Sequence, residues 1–470
     1  MVESNALCPG ALLPATRELA RTLQVSRFVV AQAYAALSAQ GYTRSRQGSY
    51  TQIRARPRHV PPVEQAKPSK LPSIRLSKAA EALCGQRRNG AIGTQSAGGL
   101  IDFSSLQADP RLFPVDELRR EFSHVLQKSH AELLNYAEPA GFHPLREYIA
   151  SRLRRHGAEL TAENVLITHG SLQGLALVLR LLVNSGEAVA IEQPTFSGVL
   201  GVLKLQGLRA IGIPMRCDGM DLSRLELSLE RGVKRQRPSL VYTIPTFHNP
   251  TGTTTSQDHR ERLLALSQRY TMPIIEDGFQ EEFTFFDRVV QPIKSMDCSG
   301  LVFYLGTFSK VFVPGLRIGW IAARDSAIRA LALLKCADDI SCSPLVQAAL
   351  YRYCASGAYE AHLRRMNRIF ATRLRHAVTL LRAELPFAHV SFQAPSGGYL
   401  LWLRIERGVT NERRLLECLA RYRVAAAPSS LFYTEPVGEL GLRLSISGLD
   451  VDQIEQGVRR LAKALRSALQ

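Results

Sequence analysis

From Val165 onward the chain alternates short, uninterrupted apolar runs with longer segments of helical period. The runs are Val165 to Thr168, Ala188 to Ile191, Leu240 to Ile244, Pro273 to Ile275, Leu301 to Leu305 and Ile318 to Ala322. They are too short for helices and are bounded by turn or polar residues, so they predict buried strands. Their alternation with helices predicts an α/β domain on a mostly parallel sheet. Ligands of such sheets bind beyond the carboxyl ends of the strands, which directs attention to the polar residues that follow each run.

The first fifth of the chain has a different pattern. Thr16 to Leu23 places Leu19 and Leu23 on one helical face, and Ser26 can cap a second helix, Ser26 to Gln40, in which Val30, Ala33 and Leu37 recur at i, i+3 and i+7. Gly41 provides the left-handed stop. Tyr42 to Ile53 then contains Gln47-Gly48, which suits the turn of a small basic hairpin. From Arg54 to about Gly98, prolines and basic residues replace any apolar period, and the segment reads as a linker; as a flexible coil it would span roughly 35 to 40 Å. The expected division is a head over 1–53, a linker over 54–98 and a body over 99–470.

Composition narrows the class. A length of 470 residues implies two or three domains. The most apolar stretch, Val165 to Val183, is interrupted by His169, Gln173 and Arg180 and does not read as a membrane span. No secretory signal pattern opens the chain, so a cytoplasmic location is expected. Eight cysteines are scattered without a Cys-x-x-Cys pair, the pattern of reduced thiols rather than of disulfides or a metal site. The net charge is +18, and residues 1–60 hold eight arginines against Glu3 and Glu18. Such a basic end attracts a polyanion through counterion release, although a solubilising tail has the same composition.

The residues that follow the strands form one chemical set. Lys310 comes shortly after the run Leu301 to Leu305, in Gly306-Thr307-Phe308-Ser309-Lys310, with Arg317 seven residues on. A lysine among apolar neighbours loses its proton readily and can attack an aldehyde. Glu276-Asp277 ends another strand, and a carboxylate set against a pyridine nitrogen keeps that nitrogen protonated. Asn249-Pro250-Thr251-Gly252 follows a third. Val165 to Thr168 runs through His169-Gly170-Ser171 into an apolar helix, whose first N–H groups suit a phosphate. Taken alone, Asp277 is more often a turn or cap residue, Gly170-Ser171 an ordinary connection and Arg317 a solvated side chain; their joint order at strand ends is what carries weight.

On these residues the body resembles the fold type I aminotransferases, with a mostly parallel central sheet in a large part of about 131–340 and a smaller α+β part of about 341–470. The whole chain resembles the MocR subgroup of the GntR-type transcription regulators. The resemblance implies pyridoxal 5'-phosphate held by Lys310 as an internal aldimine, with Asp277 on the pyridine nitrogen and Asn249 at the ring hydroxyl. It places Gly170, Ser171, Thr307, Ser309 and Arg317 around the phosphate. Phe196, in Glu192-Gln193-Pro194-Thr195-Phe196, matches the ring-stacking aromatic, and Arg443, in Leu442-Arg443-Leu444-Ser445, matches the arginine that grips a substrate carboxylate. Read alone, Arg443 leaves open a second reading, a surface strand arginine. Tyr136, ahead of Pro139-Ala140-Gly141, resembles the tyrosine that reaches a neighbouring subunit's phosphate and implies a homodimer.

The head resembles the GntR winged helix through Leu13-Pro14-Ala15-Thr16-Arg17-Glu18-Leu19-Ala20 and Val25-Ser26-Arg27-Phe28-Val29-Val30. That likeness puts Arg17, Ser26 and Arg27 near DNA and Arg44, Arg46 and Gly48 in the wing. The function it implies is a DNA-binding regulator that senses an amino acid or amine; the alternative is an active aminotransferase with a vestigial head. Three departures stand out. The family's first helix has no counterpart ahead of Leu13-Pro14, which is expected to leave Leu19 and Leu37 partly uncovered. The wing lacks a usual second glycine. Phe279 stands where the family commonly carries a tyrosine that donates to the cofactor's ring oxygen.

Overall fold

The computed structural model describes residues 7–44, 50–54, 76–77, 79–81, 99–128, 131–231, 237–285, 290–385, 388–406, 408–435 and 440–470. The chain divides into two compact units, Met1–Arg75 and Leu76–Gln470. In the first unit the helix Thr16–Thr22 packs on the helix Arg27–Ala39, and Ser26 Oγ caps the second by accepting from the Val29 N–H at 3.3 Å. Strands β1 (Thr43–Arg44) and β2 (Gln52–Ile53) pair antiparallel, with Thr43 opposite Ile53. The core of this unit is small: Ala20, Val30 and Tyr34 are buried against Leu13 and Leu19, and the Tyr34 hydroxyl donates to the Pro14 carbonyl at 2.9 Å. Leu19 and Leu37 are half-buried, and Leu23 is 57% exposed. The linker expectation falls largely outside the described residues.

The second unit is built on two sheets. Strand β3 (Ile101–Asp102) comes first in the chain. The large sheet holds β4 (Val165–Thr168), β5 (Ala188–Gln193), β6 (Arg209–Arg216), β7 (Gly219–Met220), β8 (Pro238–Thr243), β9 (Ile274–Asp277), β10 (Val302–Thr307) and β11 (Gly319–Ala322). Their spatial order is β4-β11-β10-β9-β8-β5-β6-β7. Strands β10, β9, β8, β5 and β6 run parallel, whereas β11 is antiparallel to both its neighbours and β7 to β6. Helices such as Ser171–Leu182 cover the sheet, which explains why its strands read as continuous apolar runs.

The smaller antiparallel sheet has the order β12-β13-β16-β15, from β12 (Val390–Phe392), β13 (Leu400–Ile405), β15 (Ala427–Pro428) and β16 (Leu440–Ser445). The helices Ala358–Glu384 and Val451–Leu469 pack together, and the second also packs on β3. Strand β14 (Val424–Ala425) pairs in parallel with β3, so the segment around residue 101 joins the C-terminal part of the chain.

Two strands differ from the sequence expectation in a way that matters. Strand β9 continues past Ile275 through Glu276 and Asp277, because Glu276 pairs with Thr243 and Tyr304 and Asp277 with Leu305. Strand β5 likewise runs to Gln193 rather than Ile191, held by pairing with Pro214. Backbone pairing with a neighbouring strand carries a strand into polar residues when their side chains find partners. Among the described residues, no helix is long and apolar enough to cross a membrane.

Candidate functional site

Strand alternation separates the two acids that end β9. Glu276 accepts the N–H groups of Ile293 and Lys294 at 2.8 and 2.7 Å. Asp277, only 5% exposed, instead accepts the Tyr242 hydroxyl of neighbouring β8 on Oδ2 at 2.7 Å, while its Oδ1 is buried with no hydrogen-bond partner. Burial pushes the Asp277 carboxyl up to about 6 against the opposing pull of the Tyr242 hydroxyl, the Phe279 N–H and Lys310. Among the described residues, Oδ1 is left to meet an incoming donor.

Strand β10, next to β9, delivers the lysine. Among the described residues the Lys310 amine donates to the Leu106 carbonyl, at 3.4 Å. Burial, reinforced by the charges of Arg443 and Arg317, pulls that amine down to about 8, with Asp277 opposing. So depressed, the amine gives up its proton nearer neutral pH than an ordinary lysine does. Uptake of added pyridoxal phosphate by the cofactor-free protein is accordingly expected to accelerate as pH rises and to level off above 8, read from the growth of visible absorbance. A rate still climbing steeply at pH 10 would mean an unperturbed lysine.

The loops around these strand ends form a cup. Thr307 Oγ1 accepts the Ser309 N–H at 3.1 Å and donates to the Ile318 carbonyl at 3.3 Å, which fixes the turn, and leaves the buried Ser309 hydroxyl without a partner. Arg317, exposed and at φ +53°, donates to the His169 carbonyl at 2.9 Å. Gly170, at φ +95°, precedes the helix Ser171–Leu182, and a Cβ added there would lie 2.8 Å from the Arg317 guanidinium. The cup therefore presents helix N–H groups, a guanidinium and a free hydroxyl, the donor set that a phosphate requires.

Arg443 on β16 approaches from the smaller sheet. It is 5% exposed, donates to the Ser104 carbonyl and to Asn249 Oδ1 (the latter at 3.4 Å), and lies 5.1 Å over the Phe432 ring. Its Nε has no partner, and burial pulls the guanidinium down to about 10. The surface-arginine reading of Arg443 is thus excluded. The structure brings Lys310, Asp277, Asn249, Thr307, Ser309, Gly170, Ser171, Arg317 and Arg443 around the strand ends. Phe196 is half-buried at the start of the helix Ser197–Leu205, after β5. Tyr136 is 78% exposed and joins none of these groups.

Sequence reasoning missed Tyr242, whose hydroxyl orients Asp277. The signal was present, since a tyrosine inside a fully buried strand needs a partner for its hydroxyl. It also missed Ser104 and Leu106, which act through backbone carbonyls and carry no side-chain signature. In the head, Arg17, Arg27 and Arg44 are exposed and Ser26 caps its helix; Arg46 and Gly48 lie outside the described residues.

The unpartnered Asp277 Oδ1 and Ser309 hydroxyl, the depressed Lys310 amine and the side-chain-free cradle at Gly170 together fit pyridoxal phosphate. Residues 102–461 match the aminotransferase class I and II family, and residues 1–53 match the bacterial regulatory proteins of the gntR family. The uncharacterized HTH-type transcriptional regulator YisV of Bacillus subtilis is 30% identical over 97% of this chain and 92% of its own length. The probable rhizopine catabolism regulatory protein MocR of Rhizobium meliloti is 29% identical over 96% of this chain and 89% of its own. The crystal structure of LysN, the α-aminoadipate aminotransferase of Thermus thermophilus complexed with N-(5'-phosphopyridoxyl)-L-leucine, superposes with a TM-score of 0.73 at 31% identity, covering 79% of this chain and 93% of LysN. Pyridoxal phosphate is the cofactor of this fold and its homologues. With a gntR-type head ahead of an aminotransferase body, matched from end to end by HTH-type regulators, the chain belongs to the class I and II aminotransferase family and, within it, to the MocR-like regulators.

Proposed function

We propose that this protein is a DNA-binding transcription regulator whose body, loaded with pyridoxal phosphate at Lys310, senses an amino acid or amine. The observation that carries the sensing half is the Lys310 amine, pulled down to about 8 beside an acid with a free oxygen and a buried arginine. When bound, pyridoxal phosphate supplies an aldehyde that captures amines and a ring that withdraws electrons. In this reading Lys310 holds the cofactor, Asp277 keeps a proton on the ring nitrogen through Oδ1, and Tyr242 holds Asp277 in place. Asn249 meets the ring hydroxyl and Phe196 covers the ring face. Gly170, Ser171, Thr307, Ser309 and Arg317 hold the phosphate, and Arg443 exchanges its backbone contact for an incoming carboxylate.

The exposed Tyr136 completes a partner subunit's phosphate site in a homodimer. Arg17, Ser26, Arg27, Arg44, Arg46 and Gly48 form the DNA-binding surface of a head over 1–53, joined through a linker over 54–98 to a body over 99–470. The protein works in the cytoplasm. A mobility-shift titration with DNA from upstream of its own gene, with and without pyridoxal phosphate and a panel of amino acids, tests the reading. Retention altered by an amino acid only when the cofactor is present supports it, and retention indifferent to both overturns it.

A second reading, an active aminotransferase, is favoured by the complete set of Lys310, Asp277, Asn249 and Arg443. Turnover of a simple amino acid with a 2-oxo acid separates the two, since a sensor shows little. Phe279, buried without a hydroxyl, marks one difference in tuning. The Phe279→Tyr variant is expected to titrate its visible chromophore at lower pH, because an added donor to the ring oxygen favours the deprotonated form. An unmoved spectral midpoint would show that residue 279 does not touch the ring oxygen.

A further inference from the structure

The helix Arg27–Ala39 buries only Val30 and Tyr34. Turned away from them, at i, i+3, i+4 and i+7, are Phe28, Ala31, Gln32 and Ala35, all exposed. Phe28 is 70% exposed, and Val29, 52% exposed, widens the apolar strip on one flank. Among the described residues of the head nothing covers this strip. It carries no charge of its own; elsewhere in the head Arg27 at the helix start, Arg17 and Arg21 on the preceding helix and Arg44 on the hairpin are exposed, as is Glu18. An uncharged strip with one carboxamide, in a segment with eight arginines and two acids, is complementary to a duplex whose phosphates attract the arginines and whose base edges meet the strip.

The chemistry of the strip selects among bases. In the major groove, guanine is met by arginine or lysine and cytosine by a carboxylate. Adenine pairs bidentately with an amide side chain, and thymine alone offers a methyl group to apolar side chains. The strip holds one amide, two methyl-sized side chains and a phenyl ring. We propose that this head reads A·T base pairs, with Gln32 on adenine and Phe28, Ala31 and Ala35 against thymine methyl groups, while Arg17, Arg27 and Arg44 bind phosphates without regard to sequence. The proposal rests on the DNA-binding reading above and deepens it by naming what the helix selects.

The test uses the full-length protein and a random-sequence duplex library. Repeated selection is expected to enrich half-sites dominated by A·T pairs. In the enriched duplex, replacing thymine by uracil removes only the methyl group. It is expected to weaken wild-type binding about fourfold per contacted methyl and to leave Phe28→Ala far less affected. Gln32→Ala should lose discrimination at one adenine position, at least about fivefold, and rejoin wild type at substituted sites. Arg27→Ala should weaken all duplexes alike and reduce the salt slope by about one. G·C-dominated sites, or wild-type binding indifferent to uracil, overturn this assignment alone. Retention of no duplex even at low salt overturns the DNA-binding reading and this one with it.

Discussion

Replacing Lys310 with alanine is expected to abolish the visible absorbance that the protein acquires with pyridoxal phosphate and every amino-acid response of its DNA binding. The argument is the isolation of this amine. Among the described residues its hydrogen bond is a long one to the Leu106 carbonyl, and burial together with Arg443 and Arg317 holds it near 8. The other cations beside it are guanidiniums, which do not form the covalent link. The phosphate cup, which does not depend on Lys310, should still retain the cofactor non-covalently, so affinity falls while the absorbance change is lost outright. After borohydride treatment, peptide mapping should place the pyridoxyl label on residue 310 in the wild type and nowhere in the variant. A variant that keeps the visible band, or a label on another lysine, would dismantle the site described above.

The second large effect is expected at Gly319, the first residue of β11. A Cβ there would stand 2.6 Å from the Gly170 carbonyl carbon and 2.7 Å from the Ser171 nitrogen. These are backbone atoms of the cup, so no side chain can swing aside to relieve the contact. Gly319 also pairs with Thr168 on one side and Thr307 on the other, which ties any displacement to both phosphate-facing loops. Gly319→Ala should cost about 2 to 4 kcal/mol of stability or a large part of the cofactor affinity. Gly315, four residues earlier, has nothing within 4 Å of its virtual Cβ, and Gly315→Ala should stay within about 0.5 kcal/mol of wild type. Thermal unfolding with and without pyridoxal phosphate reads both. Equal midpoints and equal cofactor shifts for the two variants would show that the Gly170–Gly319 approach does not shape the cup.

Much of the body was legible because its chemistry lies where strands end. Runs such as Val165 to Thr168 and Leu301 to Leu305 are apolar throughout since helices cover the sheet, and Lys310, Asp277, Asn249 and Gly170 follow such runs closely. Strand β6 escaped notice because its residues are mostly half-exposed and Pro214 and two arginines break the apolar run. The short strands of the smaller sheet escaped for want of length. Tyr136 could be named from its motif, but its 78% exposure within one chain gives it nothing to hold there.

By itself the sequence determined that a basic two-helix head precedes an α/β body, and which residue types meet at the strand ends. Periodicity and charge are local properties, written in consecutive residues. Only the tertiary structure decided that Arg443, 194 positions after Asn249, shares a hydrogen bond with it, that Tyr242 restrains one oxygen of Asp277 and leaves the other free, and that burial brings Lys310 down to about 8. Those facts depend on which distant segments exclude water from a shared volume. Desolvation and charge pairing act through space, and the order of residues along the chain carries no record of them until the chain is folded.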